Sequence, residues 1–330
     1  MTKILITGGA GFIGANFVHL YARKHPENKI VVLDKLTYAG NLENLTALEV
    51  NPNYKFVQGD IADLSFVSDL FETEKFDVVV NFAAETHVDK SIESPDDFVR
   101  TNVIGTHNLL MAAKDNGLIR FHQISTDEVY GDLGDSEGTF FHEKMAYDPS
   151  SPYSASKAAA DLLVNSYFRT FQLPVTISTC SNNYGPYQFP EKLIPYFYKL
   201  ASEGQSLPLY GDGKNVRDWL YVEDHCEAID QIIEKGRLGE TYCIGGNNEK
   251  QNIEIVRLIL EYVGASENLI TFVEDRKGHD RRYAIDSSKI KNDLGWEPSV
   301  TFEEGIQKTL NWYKENESWW KDLLAKHNRI

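Results

Sequence analysis

Three observations predict an α/β fold: a Rossmann-type doubly wound parallel sheet with a smaller mixed α/β substrate lobe. A glycine-rich turn joins the first apolar run to the first helix-patterned segment. Short apolar runs then alternate with helix-length stretches as far as residue 180. Beyond it the rhythm breaks, with Pro186, Pro190, Pro195 and Pro208 in a region rich in Tyr, Asn and Gly. Strands that alternate with helices form parallel sheets covered on both faces.

The elements follow in order. Residues 3–7 give a buried strand, with Ile4, Leu5 and Ile6 in a row, and residues 12–24 carry helical periodicity. Strands are expected at 30–34, 54–57 and 77–82, with a helix over 64–71. A long helix is expected at 96–116, a strand at 119–125, a helix at 153–171 and a strand at 175–179. Strand-like pieces at 220–222 and 242–244 are expected to return to the sheet. Helices at 253–263 and 303–313 complete the lobe, and Trp312, Tyr313, Trp319 and Trp320 are expected to pack on it. The expected division is a nucleotide-binding domain over 1–180, with 218–245 returning to it, and a discontinuous lobe over 181–330.

Composition bounds the function. At about 150 residues per domain, 330 residues suggest two domains or one with a lobe. Hydrophobic residues at 42% and charged residues at 25% exclude disorder. No run approaches the roughly 18 apolar residues of a membrane span, so no membrane partner is expected. The net charge is 33 − 49 = −16, a surface that repels nucleic acid but leaves room for a phosphorylated small molecule at a local positive site. Cys180, Cys226 and Cys243 form no CxxC, which excludes a disulfide framework and a zinc knuckle. The nine histidines show no metal spacing, and His87 reads as a hydrogen-bonding residue. The first eight residues enter a strand at once, without a signal peptide's apolar stretch, so a cytoplasmic protein is expected.

Gly8, Gly11 and Gly14 lie between the first strand and the first helix. A tight turn, close approach to a pyrophosphate and close helix packing each exclude a β-carbon there. The helix N-terminus offers N–H groups to the anion. Asp34 ends the second strand 20 residues after Gly14, placed to accept from the adenosine ribose hydroxyls and to repel a 2′-phosphate. The cofactor expected is therefore NAD rather than NADP, with Lys35 beside Asp34 the one contrary feature. Asp60, next to Ile61 after the third strand, is placed to accept from an adenine amino group, and the small Ala83 and Ala84 after the fourth let a dinucleotide lie against the backbone.

Tyr153 and Lys157 stand at i and i+4 of a helix and share a face. A nearby ammonium lowers a phenol's pKa and makes it a base near neutral pH. The pattern recurs at Tyr210–Lys214, but Gly211, Gly213 and Pro208 argue against a helix there. Thr126, at the end of the strand before, offers a hydroxyl to the same substrate oxygen. Thr, Tyr and Lys together suit removal of a hydroxyl proton while the carbon gives hydride to nicotinamide.

These residues resemble the extended short-chain dehydrogenase/reductase family in its sugar-nucleotide-modifying branch, over essentially the whole chain. The resemblance rests on Ala83-Ala84-Glu85-Thr86-His87-Val88-Asp89, Ser125-Thr126-Asp127-Glu128-Val129-Tyr130-Gly131, Ser181-Asn182-Asn183-Tyr184-Gly185-Pro186, Phe189-Pro190-Glu191-Lys192-Leu193-Ile194-Pro195, Tyr210-Gly211-Asp212-Gly213 with Arg217-Asp218-Trp219, and Gly278-His279-Asp280-Arg281-Arg282-Tyr283. It implies oxidation of a nucleotide hexose at C4, loss of water across C5 and C6, and return of hydride to C6, with dTDP-glucose as substrate and a deoxysugar (rhamnose) precursor as product. Glu128 would take the C5 proton and Asp127, protonated, would donate to the leaving hydroxyl. Neighbours in an extended chain point apart, so it is the resemblance that implies their reach to one sugar face. Lys157 would also contact the nicotinamide ribose.

The resemblance further implies cofactor contacts at Phe12, Ile13, Thr37, Gly40, Phe82, Thr86, Thr101 and Asn183. Thr86, Thr126, Asn182, Glu191, Leu193, Pro208, Tyr210, Asn252, His279 and Tyr283 would contact substrate. Lys192 and Arg217 are the local cations for its diphosphate, Arg through forked contacts. The charge run Asp275, Arg276, Lys277, Asp280, Arg281 and Arg282 is expected to be half salt bridges or solvated face. A homodimer is implied, paired through the helices at 96–116 and 153–171. The alternatives are a UDP-hexose 4-epimerase, which has no elimination step for Asp127 and Glu128 to serve, a UDP-glucuronate decarboxylase, and a non-catalytic NAD-binding sensor.

Overall fold

The computed structural model describes residues 1–136, 138–275 and 278–326. Arg276 and Lys277 of the charge run lie outside the described residues. The strands are β1 (Lys3–Thr7), β2 (Lys29–Asp34), β3 (Tyr54–Gln58), β4 (Val78–Asn81), β5 (Arg120–Thr126), β6 (Val175–Cys180), β7 (Asn182–Tyr184), β8 (Leu207–Tyr210), β9 (Val216–Tyr221), β10 (Thr241–Ile244), β11 (Glu249–Gln251) and β12 (Ile270–Val273). Seven form one sheet in the order β3-β2-β1-β4-β5-β6-β10, parallel at every pairing.

Side chains alternate across a strand, so the apolar run of β1 feeds two cores. Leu5 packs with Val67, Phe71, Leu109, Leu110 and Val164 from the helices Leu64–Glu74, Thr106–Asp115 and Pro152–Phe171. Ile4 and Ile6 pack with Phe17, Val18 and Ile229 from the helices Phe12–Lys24 and Val222–Lys235. The sheet is thus covered on both faces. The order of strands reverses between β1 and β4, and open α/β sheets bind ligands in the crevice at such a switch point.

The strand expected near 220–222 does not rejoin the main sheet. β9 pairs instead with β7 and β11 in a three-stranded sheet of the lobe, while β8 pairs with β12. Trp219 and Tyr221 face the lobe core, and Leu220 faces Cys180, Tyr242 and Ile244. A strand apolar on both faces fits either sheet, so its pattern does not name its partner. The return to the main sheet comes through the helix Val222–Lys235 and then β10.

Residues 96–115 are helical throughout, with a π-helical stretch at Val99–Gly105. Residues Tyr210–Lys214 form a turn, not a helix. The helix Glu317–Lys326 ties the end of the chain to its beginning. Trp319 Nε1 donates to Asn44 Oδ1 at 2.9 Å, and Asn44 Nδ2 donates to the Ala10 carbonyl at 3.0 Å. Tyr313 and Trp320 are buried in the lobe core, with Trp312 and Trp319 packed against it.

Candidate active site

A cavity of about 330 Å³ opens at the switch point. Its floor is the glycine turn. Gly8 has φ +66°, and a Cβ there would stand 2.6 Å from the Ala83 nitrogen; a Cβ at Gly14 would stand 2.3 Å from the Gly8 carbonyl oxygen. Gly11 is the N-cap of the first helix with no capping side chain, so first-turn N–H groups are left for a ligand. Asp34 is fixed by two backbone donors, Ala10 N–H at 3.0 Å and Leu36 N–H at 2.8 Å. Lys35, the residue that argued against NAD, is paired with Asp60 at 2.8 Å. Asp60 also accepts from Ala62 N–H, and these two partners outweigh partial burial and hold its carboxyl below the ordinary range.

A cradle that any β-carbon would fill, free N–H groups and a buried carboxylate at the ribose position suit a dinucleotide. Phe12, Ile13, Thr37, Gly40, Ile61, Phe82, Ala83, Ala84, Thr86, Thr101 and Asn183 line the same cavity.

Thr126, Asp127, Glu128, Tyr153 and Lys157 all line it as well. The extended geometry expected for Asp127 and Glu128 is replaced by a 3-10 turn over Asp127–Tyr130, capped by Thr126 Oγ1, which accepts from Glu128 N–H at 3.3 Å. Both carboxyls line the same cavity from this turn. Asp127 is 2% exposed, and burial first, then the charges of Glu128 and Asp218, push its carboxyl well above the ordinary range. Its Oδ2 is enclosed and has no partner among the described residues. That is the environment of a carboxylic acid that keeps its proton and donates it.

Tyr153 stands in the first turn of the helix Pro152–Phe171, which the Ser151–Ser154 capping box starts, and lines the cavity beside Thr126. The expectation that Lys157 lowers its phenol is corrected. Burial, then the Glu128 charge, pushes Tyr153 well above its usual value. The ammonium is turned elsewhere: Lys157 Nζ donates to the Ile124 carbonyl at 2.6 Å and lies near Asp161. Burial pushes Asp161 up to about 6, although Ser125 Oγ donates to its Oδ2 at 2.5 Å.

A second cavity of about 370 Å³ shares Glu128, Asn182, Asn183, Glu191 and Lys192 with the first. Leu193, Pro208, Tyr210, Arg217, Asn252 and His279 line it too. Asn252 Oδ1 and Asn182 Oδ1 are buried and unpartnered among the described residues. Tyr283 stands one layer back from both linings: its ring lies 4.3 Å beneath the Arg217 guanidinium and its hydroxyl donates to Asp280. Within the charge run, Arg281 pairs with Asp212 and Asp135, and Arg282 with Glu249.

Sequence reasoning passed over Tyr38, Gln188, Asp161 and Asn102. Asp161 is four residues after Lys157 on its helix, a spacing that could have revealed it. Asn102, in the π-helical stretch, accepts from Glu85 N–H at 2.8 Å and donates to Ser156 Oγ at 2.8 Å, clamping the loop after β4 to the Tyr153 helix. Tyr38 carries no local signal, because its partners come from distant segments.

Comparison with known proteins adds four findings. The family model described as GDP-mannose 4,6 dehydratase matches residues 5–309. A relative from Neisseria meningitidis serogroup B, named dTDP-glucose 4,6-dehydratase, is 51% identical over 100% of this chain and 98% of its own length. The crystal structure of dTDP-glucose 4,6-dehydratase from Bacillus anthracis in complex with NAD superposes with a TM-score of 0.91 at 51% identity, over 98% of this chain and 100% of that one. A UDP-glucose 4-epimerase from Thermotoga maritima with UDP-glucose reaches 0.88 at 30% identity, over 96% and 99%.

Proposed function

From the premise that the chain belongs to the GDP-mannose 4,6-dehydratase family, we propose that it is an NAD-dependent hydro-lyase converting dTDP-glucose to dTDP-4-keto-6-deoxyglucose, the activity named for its relatives. One observation carries the choice of elimination over epimerisation. Asp127 is enclosed, its carboxyl is pushed well above the ordinary range by burial and then by the Glu128 charge, and its Oδ2 has no partner among the described residues, beside Glu128 in the cavity of Thr126 and Tyr153.

Gly8, Gly11, Gly14 and Asp34 hold the cofactor, with Lys157 reaching its ribose. Bound NAD supplies the hydride acceptor for C4 and the hydride donor for C6. Tyr153 would take the C4 hydroxyl proton as a phenolate, a state that the positive charge of bound NAD would favour against burial and the Glu128 charge, and Thr126 shares that oxygen. The C4 ketone makes the C5 hydrogen acidic. Glu128 removes it as Asp127 gives its proton to the C6 hydroxyl, which leaves as water. General acid and base groups of this kind contribute typically 10²–10⁴-fold each. Lys192 and Arg217, both at the second cavity, hold the diphosphate. Asn182, Glu191, Asn252 and His279 orient the sugar and base. The product is a deoxysugar precursor.

No helix among the described residues is long and apolar enough to cross a membrane. We place the enzyme in the cytoplasm as a homodimer. Exposed Val99, Ile104 and Leu162 on the helices at 96–115 and 152–171 support that pairing. Sedimentation equilibrium is expected to give twice 37.5 kDa.

The test of the function is to incubate the protein with dTDP-glucose and follow the alkaline absorbance of the 4-keto product and the mass loss of one water. UDP-glucose and GDP-mannose run in parallel. Water loss from dTDP-glucose, abolished in Asp127→Asn and Glu128→Gln, is the expected result. Inversion at C4 with no water loss would return the reading to the epimerase.

A further inference from the structure

The loop at residues 35–41 leaves β2 and doubles back over Asp34. Leu36 adopts φ +59°, a conformation side chains seldom take, and a Cβ at Gly40 would stand 2.8 Å from Asp34 Oδ1. From this bent loop Tyr38 reaches across the cleft. Its hydroxyl donates to Glu191 Oε1 at 3.0 Å. Its ring meets the Phe189 ring edge-on at 5.4 Å, and the Lys90 ammonium stands 3.8 Å over its face. The partners come from two other walls: Lys90 beyond β4, and residues 189–191 leading into the lobe. Burial, then the Glu191 charge, pushes the phenol above its usual range, so it remains a donor.

We propose that Tyr38 is a positioning residue that latches the cofactor-binding loop to the lobe and keeps the reduced cofactor in place between the two halves of the reaction. The inference rests on the dehydratase reading. Thr37 and Gly40 of the loop line the cofactor cavity, and Glu191 lines both cavities. One phenol–carboxylate bond therefore spans from the cofactor side to the sugar side. The reaction starts and ends with the same hydride. If the cofactor left after the first half, the balance would be that of a simple oxidation: CHOH to C=O at C4, NAD⁺ to NADH plus a proton. C6 would then receive no hydride.

The experiment measures cofactor release without turnover. Holoenzyme is mixed with a coupled dehydrogenase that traps free NAD, for wild type, Tyr38→Phe and Lys90→Met. Losing a hydrogen bond to a charged group makes release from Tyr38→Phe about tenfold faster. Losing the cation over the ring makes release from Lys90→Met about threefold faster. With dTDP-glucose, Tyr38→Phe is expected to keep the first-turnover rate but to release free NADH together with a 4-keto sugar that has received no hydride at C6, either the 4-keto hexose or, after water loss, its 5,6-ene. A purely structural role would lower the thermal midpoint and the first-turnover rate together. Release rates equal to wild type in both variants overturn the latch. Where Tyr38→Phe melts early, the release rate of Lys90→Met decides. If wild type forms no dehydrated product, the dehydratase reading falls, and the release rates still judge the latch.

Discussion

The two cavities meet at Glu128 and Asn183 but are built differently. The cofactor cavity has at its base glycines, alanines and a helix N-terminus at the ends of neighbouring strands, where backbone comes close. The substrate cavity is largely side chains, with Tyr210, Arg217, Asn252 and His279 each from a separate segment of the lobe. A backbone site fails when atoms are added. A side-chain site fails when they are taken away. Of the catalytic carboxyls, Glu128 lines both cavities and Asp127 lines the cofactor cavity beside it.

The largest expected effect is at these carboxyls. Asp127→Asn keeps shape and removes the acid, so dehydration should fall by roughly 10²–10⁴-fold. C4 oxidation should persist, seen as reduced-cofactor absorbance on mixing with dTDP-glucose. Loss of that absorbance as well would place Asp127 in the first half-reaction.

Next comes the backbone half. Gly14→Ala forces a methyl toward an oxygen that would be 2.3 Å away. NAD retained through gel filtration should drop at least tenfold, while the nucleotide-sugar KM at saturating NAD stays near wild type. A matching rise in KM would show that the two cavities are one mechanical unit.

A pH measurement sharpens the contrast behind the cofactor wall. Asp161 has its folded pKa raised from 3.8 to about 6. The folded chain therefore holds a proton that the unfolded chain has shed, and stability falls as pH rises through that window. Compared with Asp161→Asn, wild type should lose up to about 3 kcal/mol between pH 4 and pH 6 and nothing further above it. Urea melts of both proteins across that range check it; a constant difference would contradict the burial argument.

The smallest effect tests the side-chain half. Arg217→Lys keeps the charge and loses the planar fork, and should raise the nucleotide-sugar KM about tenfold with NAD retention unchanged.

The same division explains what the sequence disclosed. Gly8, Gly11, Gly14 and Asp34 were legible because a backbone site is local, and its spacing follows from one strand, one turn and one helix. Tyr153 and Lys157 were legible through helical periodicity. β9 was misplaced because Trp219, Leu220 and Tyr221 are apolar on both faces and fit either sheet. Asp127 and Glu128 were legible as residues but not as a geometry, because the 3-10 turn that unites them depends on the Thr126 cap. Tyr38 was silent, since its carboxylate partner lies 153 residues away.

The link from Trp319 through Asn44 to Ala10 bears on how the molecule is made. Ribosomes deliver a chain from its N-terminus at about 5–20 residues per second. The glycine turn leaves the ribosome well before its outer support, the Trp319 indole, which follows Asn44 by 275 residues. β1 can therefore pair with β2 while the turn beside Ala10 still lacks that tether. A chain that has not yet reached Trp319 would hold its dinucleotide more loosely.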